Sequence, residues 1–340
     1  MSLEESYKAL GLKPGASLQE AKRSYYEWLK FFHPDRHQAS PGLLQKATEE
    51  TKKLNLAYEH ICKVLGGGRR AFSNEPSRAK PPRPKATGKA PIEGEPYVVP
   101  ACGMKLTWLA SGRFLMGSPV GEAGRSDDEG PQTEVTISRG FWLGMFPVAQ
   151  EEWSAIAEEV GVLKAQPSFF RGDRLPVEQV SWNDCQEWLE ALTTTEAAQK
   201  RLPVGFTYRL PTEAEWEFAC RAGATGRFHF GDSDGALSDH AWHAANSRNQ
   251  SQPVGQKKAN SWGLHDMHGQ VWEWCLDRYG PLRGGSVFDP AGPAFGLNRV
   301  MRGGSWGVSA ARCRCAYRVW NEPRYRDYTV GFRVALAPDF

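Results

Sequence analysis

Apolar positions in the first 65 residues recur at helical spacing. Ala21, Tyr25, Trp28, Leu29 and Phe32 fall on one face of a helix, and Ala47, Leu54, Ala57, Tyr58, Ile61 and Leu65 fall on one face of another. Ser2-Leu-Glu-Glu5 and Ser17-Leu-Gln-Glu20 are capping boxes, in which a hydroxyl and a carboxylate satisfy orphan amides at a helix start. Ser40-Pro41 offers a cap and a first-turn proline, and Gly66-Gly67-Gly68 ends the second helix. Two amphipathic helices of this length predict an antiparallel hairpin that buries its two stripes together.

The pattern then stops. From Arg69 to Pro96 the chain is Pro, Lys, Arg, Gly and Ser, and "SRAKPPRPKATGKAP" has too little apolar surface to fold. The expected organisation is a helical domain over 1–65, a basic Pro/Gly-rich linker over 66–96 and a large domain over 97–340. In the last, Arg113–Gly117 and Phe141–Gly144 read as strands, while 180–190 and 212–219 read as helices. Thr212 caps the second of these, with Glu215 completing its box. Beyond Gly223 turns dominate. "LRGGS" (282–286) and "MRGGS" (301–305) echo each other without making an array.

Composition narrows the class. The 340 residues are 40% apolar and 24% charged, as in a soluble globular protein. Thirteen Trp and 35 Gly point to a loop-rich fold pinned by large aromatic anchors. The net charge of +3 does not argue for nucleic acid, and the linker's charge reads as a solvated stretch. No apolar run reaches membrane-spanning length, and the acidic start lacks the form of a signal peptide, so a cytoplasmic protein is expected. Seven cysteines without framework spacing read as reduced thiols.

His33-Pro34-Asp35 follows the first amphipathic helix. With "YKALGL" (7–12), "EAKRSYYEWLKFFHPDR" (20–36) and "LNLAYEHI" (54–61), it makes residues 5–62 resemble a J-domain, the module that docks on a DnaK-type chaperone and triggers its ATPase. The resemblance implies a chaperone contact through His33, Pro34 and Asp35. Lys22 and Arg23, with Lys30 and Arg36, bring positive charge toward an acidic partner. Tyr26-Glu27 departs from the basic second helix usual in that family.

"FLMGS" (114–118), "PVEQVSWNDCQEW" (176–188), "YRLPTEAEWEFACRAG" (208–223), "NSWGLHDMHGQVWEW" (260–274), "RVMRGGSW" (299–306) and "VGFRV" (330–334) resemble the formylglycine-generating, sulfatase-modifying-factor family. That implies an α+β domain of C-type-lectin type with little regular secondary structure. It also implies a calcium site at Asp266, Gly269, Val271 and Glu273, whose hard oxygens suit that ion. Read from the residues alone, Asp266 and Glu273 serve equally well to satisfy buried backbone donors or an arginine. Oxidase members hold copper(I) on a cysteine pair. Here Cys313 takes the first place and the second is missing, because the following segment is shortened. Cys315 stands nearby: on a strand the two would share a face and reach one copper ion; in a loop nothing follows.

A second resemblance concerns the segment 302–334. Variable proteins of diversity-generating retroelements close on a similar frame, here Arg302, Gly303, Gly304, Ser305, Trp306, Cys313, Arg314, Ala316, Arg318, Pro323, Arg326, Gly331, Phe332 and Arg333. Between them lie Gly307, Val308, Ser309, Arg312, Tyr317, Val319, Asn321, Tyr325, Asp327, Tyr328 and Thr329, residues reachable from an asparagine codon by changing its adenines. Glu322 is not reachable, and Trp320 fits poorly. Gly, Ser, Tyr, Asn and Asp are also what adaptable binding surfaces favour. The expectation is a ligand-binding domain, contacting a protein or other ligand, coupled to a chaperone-recruiting J-domain. The alternative is a formylglycine-generating oxidase working through Cys313, Cys315 and copper.

Overall fold

The computed structural model describes residues 2–17, scattered positions between 20 and 64, and 88–339 apart from 162. The chain divides into two units, Met1–Arg83 and Pro84–Phe340.

In the first unit, helix α1 (Leu3–Ala9) starts at the Ser2 capping box: Ser2 Oγ accepts from Glu5 N at 3.1 Å, and Glu5 Oε2 accepts from Ser2 N at 2.6 Å. Tyr7, Leu10, Ala21, Tyr25, Leu54, Ala57 and Ile61 are buried, so the described members of the two stripes read from the sequence turn inward, apart from Trp28, which is 37% exposed. Ser6 Oγ hydrogen-bonds His60 Nδ1 at 2.9 Å, and Trp28 Nε1 donates to Leu10 O at 3.0 Å. His33, Pro34, Asp35, Lys22 and Arg23, and the linker up to residue 87, lie outside the described residues.

The second unit carries three sheets. The largest has the order β1 (Tyr97–Val98), β2 (Lys105–Leu109), β5 (Phe141–Gly144), β12 (Ala335–Pro338), β6 (Phe206–Arg209). β12 pairs with β5 on one side and β6 on the other, so the chain's last strand is central. A four-stranded sheet runs β10 (Arg318–Asn321), β9 (Arg299–Arg302), β7 (Trp272–Arg278), β11 (Val330–Phe332), with β11 parallel to β7. A three-stranded sheet runs β3 (Gly112–Met116), β4 (Thr133–Ile137), β8 (Gly285–Phe288). Helices α2 (Gln150–Val160), α3 (Trp182–Ala198) and α4 (Glu213–Arg221) complete the frame.

The helix expected over 180–190 begins after its cap Ser181, whose Oγ accepts from Asp184 N, and runs on to Ala198. α2 was not legible in the sequence. Nor were the six strands after Gly223, which are short: β7 is almost continuously buried, so no period-2 alternation marks it, and β8 is mostly exposed.

The tryptophans anchor the unit. Trp142, Trp153, Trp188, Trp216, Trp272 and Trp274 are fully buried. Their indole N–H groups find acceptors, among them Glu95 O for Trp142 (2.8 Å), Trp153 O for Trp188 (3.0 Å) and Val180 O for Trp274 (3.1 Å). The Trp142 bond places Glu95, read from the sequence as linker, against this unit.

Candidate functional site

The segment 302–334 divides sharply between anchored and exposed residues. Arg302, Arg314, Arg318 and Arg333 are buried, each on a carboxylate. Arg314 forks onto Glu129 at 2.7 and 2.6 Å and reaches Glu122 at 2.6 Å. Arg318 forks onto Glu213 at 2.8 and 2.6 Å, and Arg333 onto Glu273 at 2.9 and 2.8 Å. Arg302 pairs with Glu217, which also holds Arg221. Glu213 and Glu217 lie one turn apart on α4, so the helix spacing itself presents two carboxylates to the strand arginines. Arg314 holds Glu129 below the usual carboxylate range against the opposing effect of burial.

Gly303 and Gly304 lie at φ 95° and 81°. A Cβ on Gly304 would stand 2.7 Å from Cys313 Sγ, and one on Gly303 would stand 3.1 Å from the Trp216 ring. Two glycines are therefore required where this turn crosses the core.

Of the eleven residues expected to meet a ligand, five present surface: Gly307 and Ser309 are exposed, and Arg312, Asn321 and Tyr325 are half-buried. Val308, Tyr317, Val319, Asp327, Tyr328 and Thr329 are buried. Asp327 Oδ1 accepts from Thr329 N and Oγ1 at 2.8 and 2.6 Å, and Tyr328 packs against Trp306 with ring centroids 5.5 Å apart. These six side chains build the frame, and the accessible surface passes to neighbours the sequence reading left out: Trp320, Glu322, Arg324 and Arg326. Trp320 is 44% exposed on the edge strand β10, and Arg326 reaches Asp184 at 2.7 and 2.6 Å.

Cys313 and Cys315 lie in a bend and turn, not on a strand, so the geometry that would have turned both sulfurs to one face is not present. Cys313 Sγ faces Ser309 O at 3.7 Å, and burial pushes its thiol up to about 12. Cys315 Sγ instead lies 3.7 Å from Cys220 Sγ, on α4. Burial opposes ionisation of Cys315. The hydrogen bond from Cys220 and the charges of Arg221 and Arg302 outweigh it and hold this thiol below its usual range. Burial and the neighbouring Cys315 push Cys220 well up.

His268 is buried beside the pair, with both ring nitrogens 3.9 Å from Cys220 Sγ. Its Nδ1 bonds Cys313 O at 2.6 Å and must donate, because a carbonyl only accepts. Burial lowers its basicity well below the usual histidine range, so Nε2 is a lone-pair acceptor facing His229 Nδ1 at 2.9 Å. His229 is lowered to about 4, first by burial and then by His240, and its Nε2 lies 3.2 Å from His240 Nδ1. Three histidines distant in sequence thus form one line, which spacing along the chain could not reveal.

The four positions expected to hold calcium behave differently from one another. Asp266 Oδ2 accepts from Gly255 N at 2.7 Å while Oδ1 is buried without a partner, and burial raises this carboxyl to about 6. Gly269 N donates to Gly303 O at 2.6 Å, and Val271 is fully buried. Glu273 gives both oxygens to Arg333 and one also to Trp216 Nε1 at 2.7 Å. A guanidinium already fills the coordination face of Glu273, so these four residues do not fit a calcium ion as a set. The alternative reading, a carboxylate satisfying an arginine, describes Glu273.

Residues 101–338 match the sulfatase-modifying factor enzyme 1-like domain, and residues 5–64 match the DnaJ domain. The chain belongs to the sulfatase-modifying factor family and carries a J-domain ahead of that fold. It is similar to the formylglycine-generating enzyme of Bos taurus, at 33% identity over 69% of this chain and 75% of that one. It is also similar to the inactive Cα-formylglycine-generating enzyme 2 of Mus musculus, at 30% identity over 67% of this chain and 84% of that one. The solved structure of Treponema denticola variable protein 1 superposes with a TM-score of 0.63 at 28% identity, covering 72% of this chain and 99% of that one. The chain spans 38% of the length of the serine/threonine-protein kinase pkn1 of Chlamydia caviae, which it matches at 31% identity. A J-domain's partner is in general an Hsp70/DnaK-type chaperone. Among the described residues no helix is long and apolar enough to cross a membrane.

Proposed function

We propose that the protein is a J-domain co-chaperone of the cytoplasm whose C-terminal domain binds a ligand through the exposed part of 307–326. The J-domain then brings a DnaK-type chaperone to the bound ligand. The observation that carries this reading is the division within 302–334. Four arginines lock the frame onto carboxylates, while Gly307, Ser309, Arg312, Trp320, Asn321 and Tyr325 are left at or near the surface. A frame of that kind tolerates replacement of what it displays. Similarity to a protein described as variable supports the same reading.

Formylglycine-generating relatives and an inactive one match alike, so family membership does not select the oxidase alternative. The separate environments of Cys313 and Cys315 disfavour it. Two experiments test the proposal. Deep sequencing of the gene's end across a population is expected to show replacements clustered at the exposed positions of 307–326, with 302–306 and 330–334 fixed; a uniform sequence would remove the variable-surface reading. His33→Gln is expected to abolish stimulation of a DnaK-type ATPase while leaving C-terminal binding intact, and undiminished stimulation would sink the chaperone half. Turnover of a Cys-x-Pro-x-Arg peptide with copper and oxygen, lost in Cys313→Ser, would restore the oxidase.

A further inference from the structure

We propose that Cys220, Cys315 and His268 form a buried zinc site. The three offer ligand atoms that all lie within 4.8 Å of one another, and all three side chains are buried. Two thiolate sulfurs, each about 2.3 Å from a tetrahedral zinc ion, stand roughly 3.8 Å apart, and a sulfur and an imidazole nitrogen stand roughly 3.6 Å apart. The observed separations are 3.7 Å between the sulfurs and 3.9 Å from Cys220 Sγ to His268 Nε2. Two edges of the triangle are thus close to coordination size before any ion enters, and the third, from Cys315 Sγ to His268, is within 4.8 Å.

The surroundings fit as well. The Nδ1–H···O bond from His268 to Cys313 O, at 2.6 Å, is the outer-shell bond that fixes the tautomer of a metal-bound imidazole and leaves Nε2 for the ion. Nε2 now faces His229 Nδ1, and His229 gives up that place when an ion binds. Zinc on two thiolates and a neutral imidazole carries no net charge, which suits a buried site. Cys220 sits on α4 one turn beyond Glu217, which is pinned by Arg302 and Arg221. Cys315 sits in the turn anchored by Cys315 N to Arg227 O at 2.8 Å. Both cysteines therefore project from held backbone rather than from free loops. Binding forms two Zn–S bonds and breaks the S–H bond of each cysteine that enters as a thiol, the proton passing to solvent. The site is independent of what the 307–326 surface binds.

The test uses the full chain, stripped with a chelator and titrated with Co(II) as a spectroscopic probe, then with Zn(II). The expected result is one ion per chain, with thiolate-to-cobalt charge-transfer bands and the visible bands of tetrahedral cobalt, bleached by zinc. Cys313→Ser is expected to bind like the parent, because its sulfur faces Ser309 O. Cys315→Ser and Cys220→Ser are expected to weaken binding at least a hundredfold. Zinc is expected to raise the melting temperature of the parent and of Cys313→Ser, and of neither other variant. A folded parent chain without the thiolate–cobalt signature overturns the proposal, whatever the variants do. So does a signature that survives both Cys220→Ser and Cys315→Ser, which would assign the metal to other thiols.

Discussion

Replacing Arg314 with methionine asks whether the ion-pair frame holds the displayed segment in place. Arg314 is fully buried and donates to Ala311 O at 2.8 Å, Gly124 O at 2.5 Å, Glu122 at 2.6 Å, and Glu129 at 2.7 and 2.6 Å. Glu129 is itself fully buried and would retain only Ser118 Oγ (2.8 Å) and Ser126 N (3.0 Å) as donors to its oxygens. Breaking a buried pair from one side costs about 3–5 kcal/mol, because it strands the other charge. In a domain of this size that lowers the melting temperature by roughly 10 °C. The pH dependence gives the mechanism its signature. In the parent, Glu129 lies below its unfolded pKa, so its contribution is present above that value and lost as pH falls through the folded one. In Arg314→Met burial, the largest effect on this carboxyl, is opposed only by the Ser126 and Ser118 hydrogen bonds and raises it, so the variant loses stability as pH rises. The gap between the two proteins therefore widens from pH 4 to pH 7. Urea unfolding followed by tryptophan fluorescence measures it, and adding Glu129→Gln to the variant should recover part of the loss. A loss below about 1 kcal/mol, the range of a surface pair, or a gap flat with pH would refute the argument.

Glu152 caps the start of α2 by accepting from Ala149 N at 2.8 Å, yet burial raises it to about 7. A carboxyl raised on folding opposes folding once it ionises, so Glu152→Gln, which keeps the cap, should gain roughly 2–3 kcal/mol at pH 8 and almost nothing at pH 4.5 by urea unfolding. Gly304→Ala places a Cβ 2.7 Å from Cys313 Sγ at a φ of 81° and should lose about 2 kcal/mol or more, whereas Cys313→Ala with Gly304→Ala should recover the packing part alone. Because Arg333 occupies Glu273, EGTA should leave the melting temperature unchanged, and a fall reversed by calcium would reinstate the ion.

Both modules were legible in the sequence because their marks are local. The J-domain stripes recur at helical spacing, and of their described members Ala21, Tyr25, Leu54, Ala57 and Ile61 are buried while Trp28 is exposed. The helical stretch over 180–190 and the cap Thr212 predicted the starts of α3 and α4 to within a residue or two. What the sequence could not supply was pairing at long range. Cys315 was set beside Cys313 because they are neighbours in the chain, while its actual partner is Cys220 on α4. Glu273 was read as a metal ligand from its position in a motif, while Arg333, 60 residues on, decides its role. The eleven displayed positions were chosen by codon chemistry, which carries no information on burial, and six of them point inward.

That inward half explains how a segment with little regular structure can display residues at all. Its turns are not held by strand ladders, which within it cover Arg302, 318–321 and 330–332. They are held by side chains aimed inward: Arg314 into the 122–129 loop, Arg318 onto α4, Tyr328 against Trp306, and Asp327 closing on Thr329. Arg314 and Arg318 tie the segment to elements remote in sequence and Tyr328 and Asp327 close it on itself, so replacing Ser309 or Asn321 removes none of these anchors. Replacing Asp327 does, and replacing Tyr317 removes its ring's packing against Trp272. Variation that respects stability should therefore concentrate at the exposed positions and spare the buried ones, even where the codon would allow change at both.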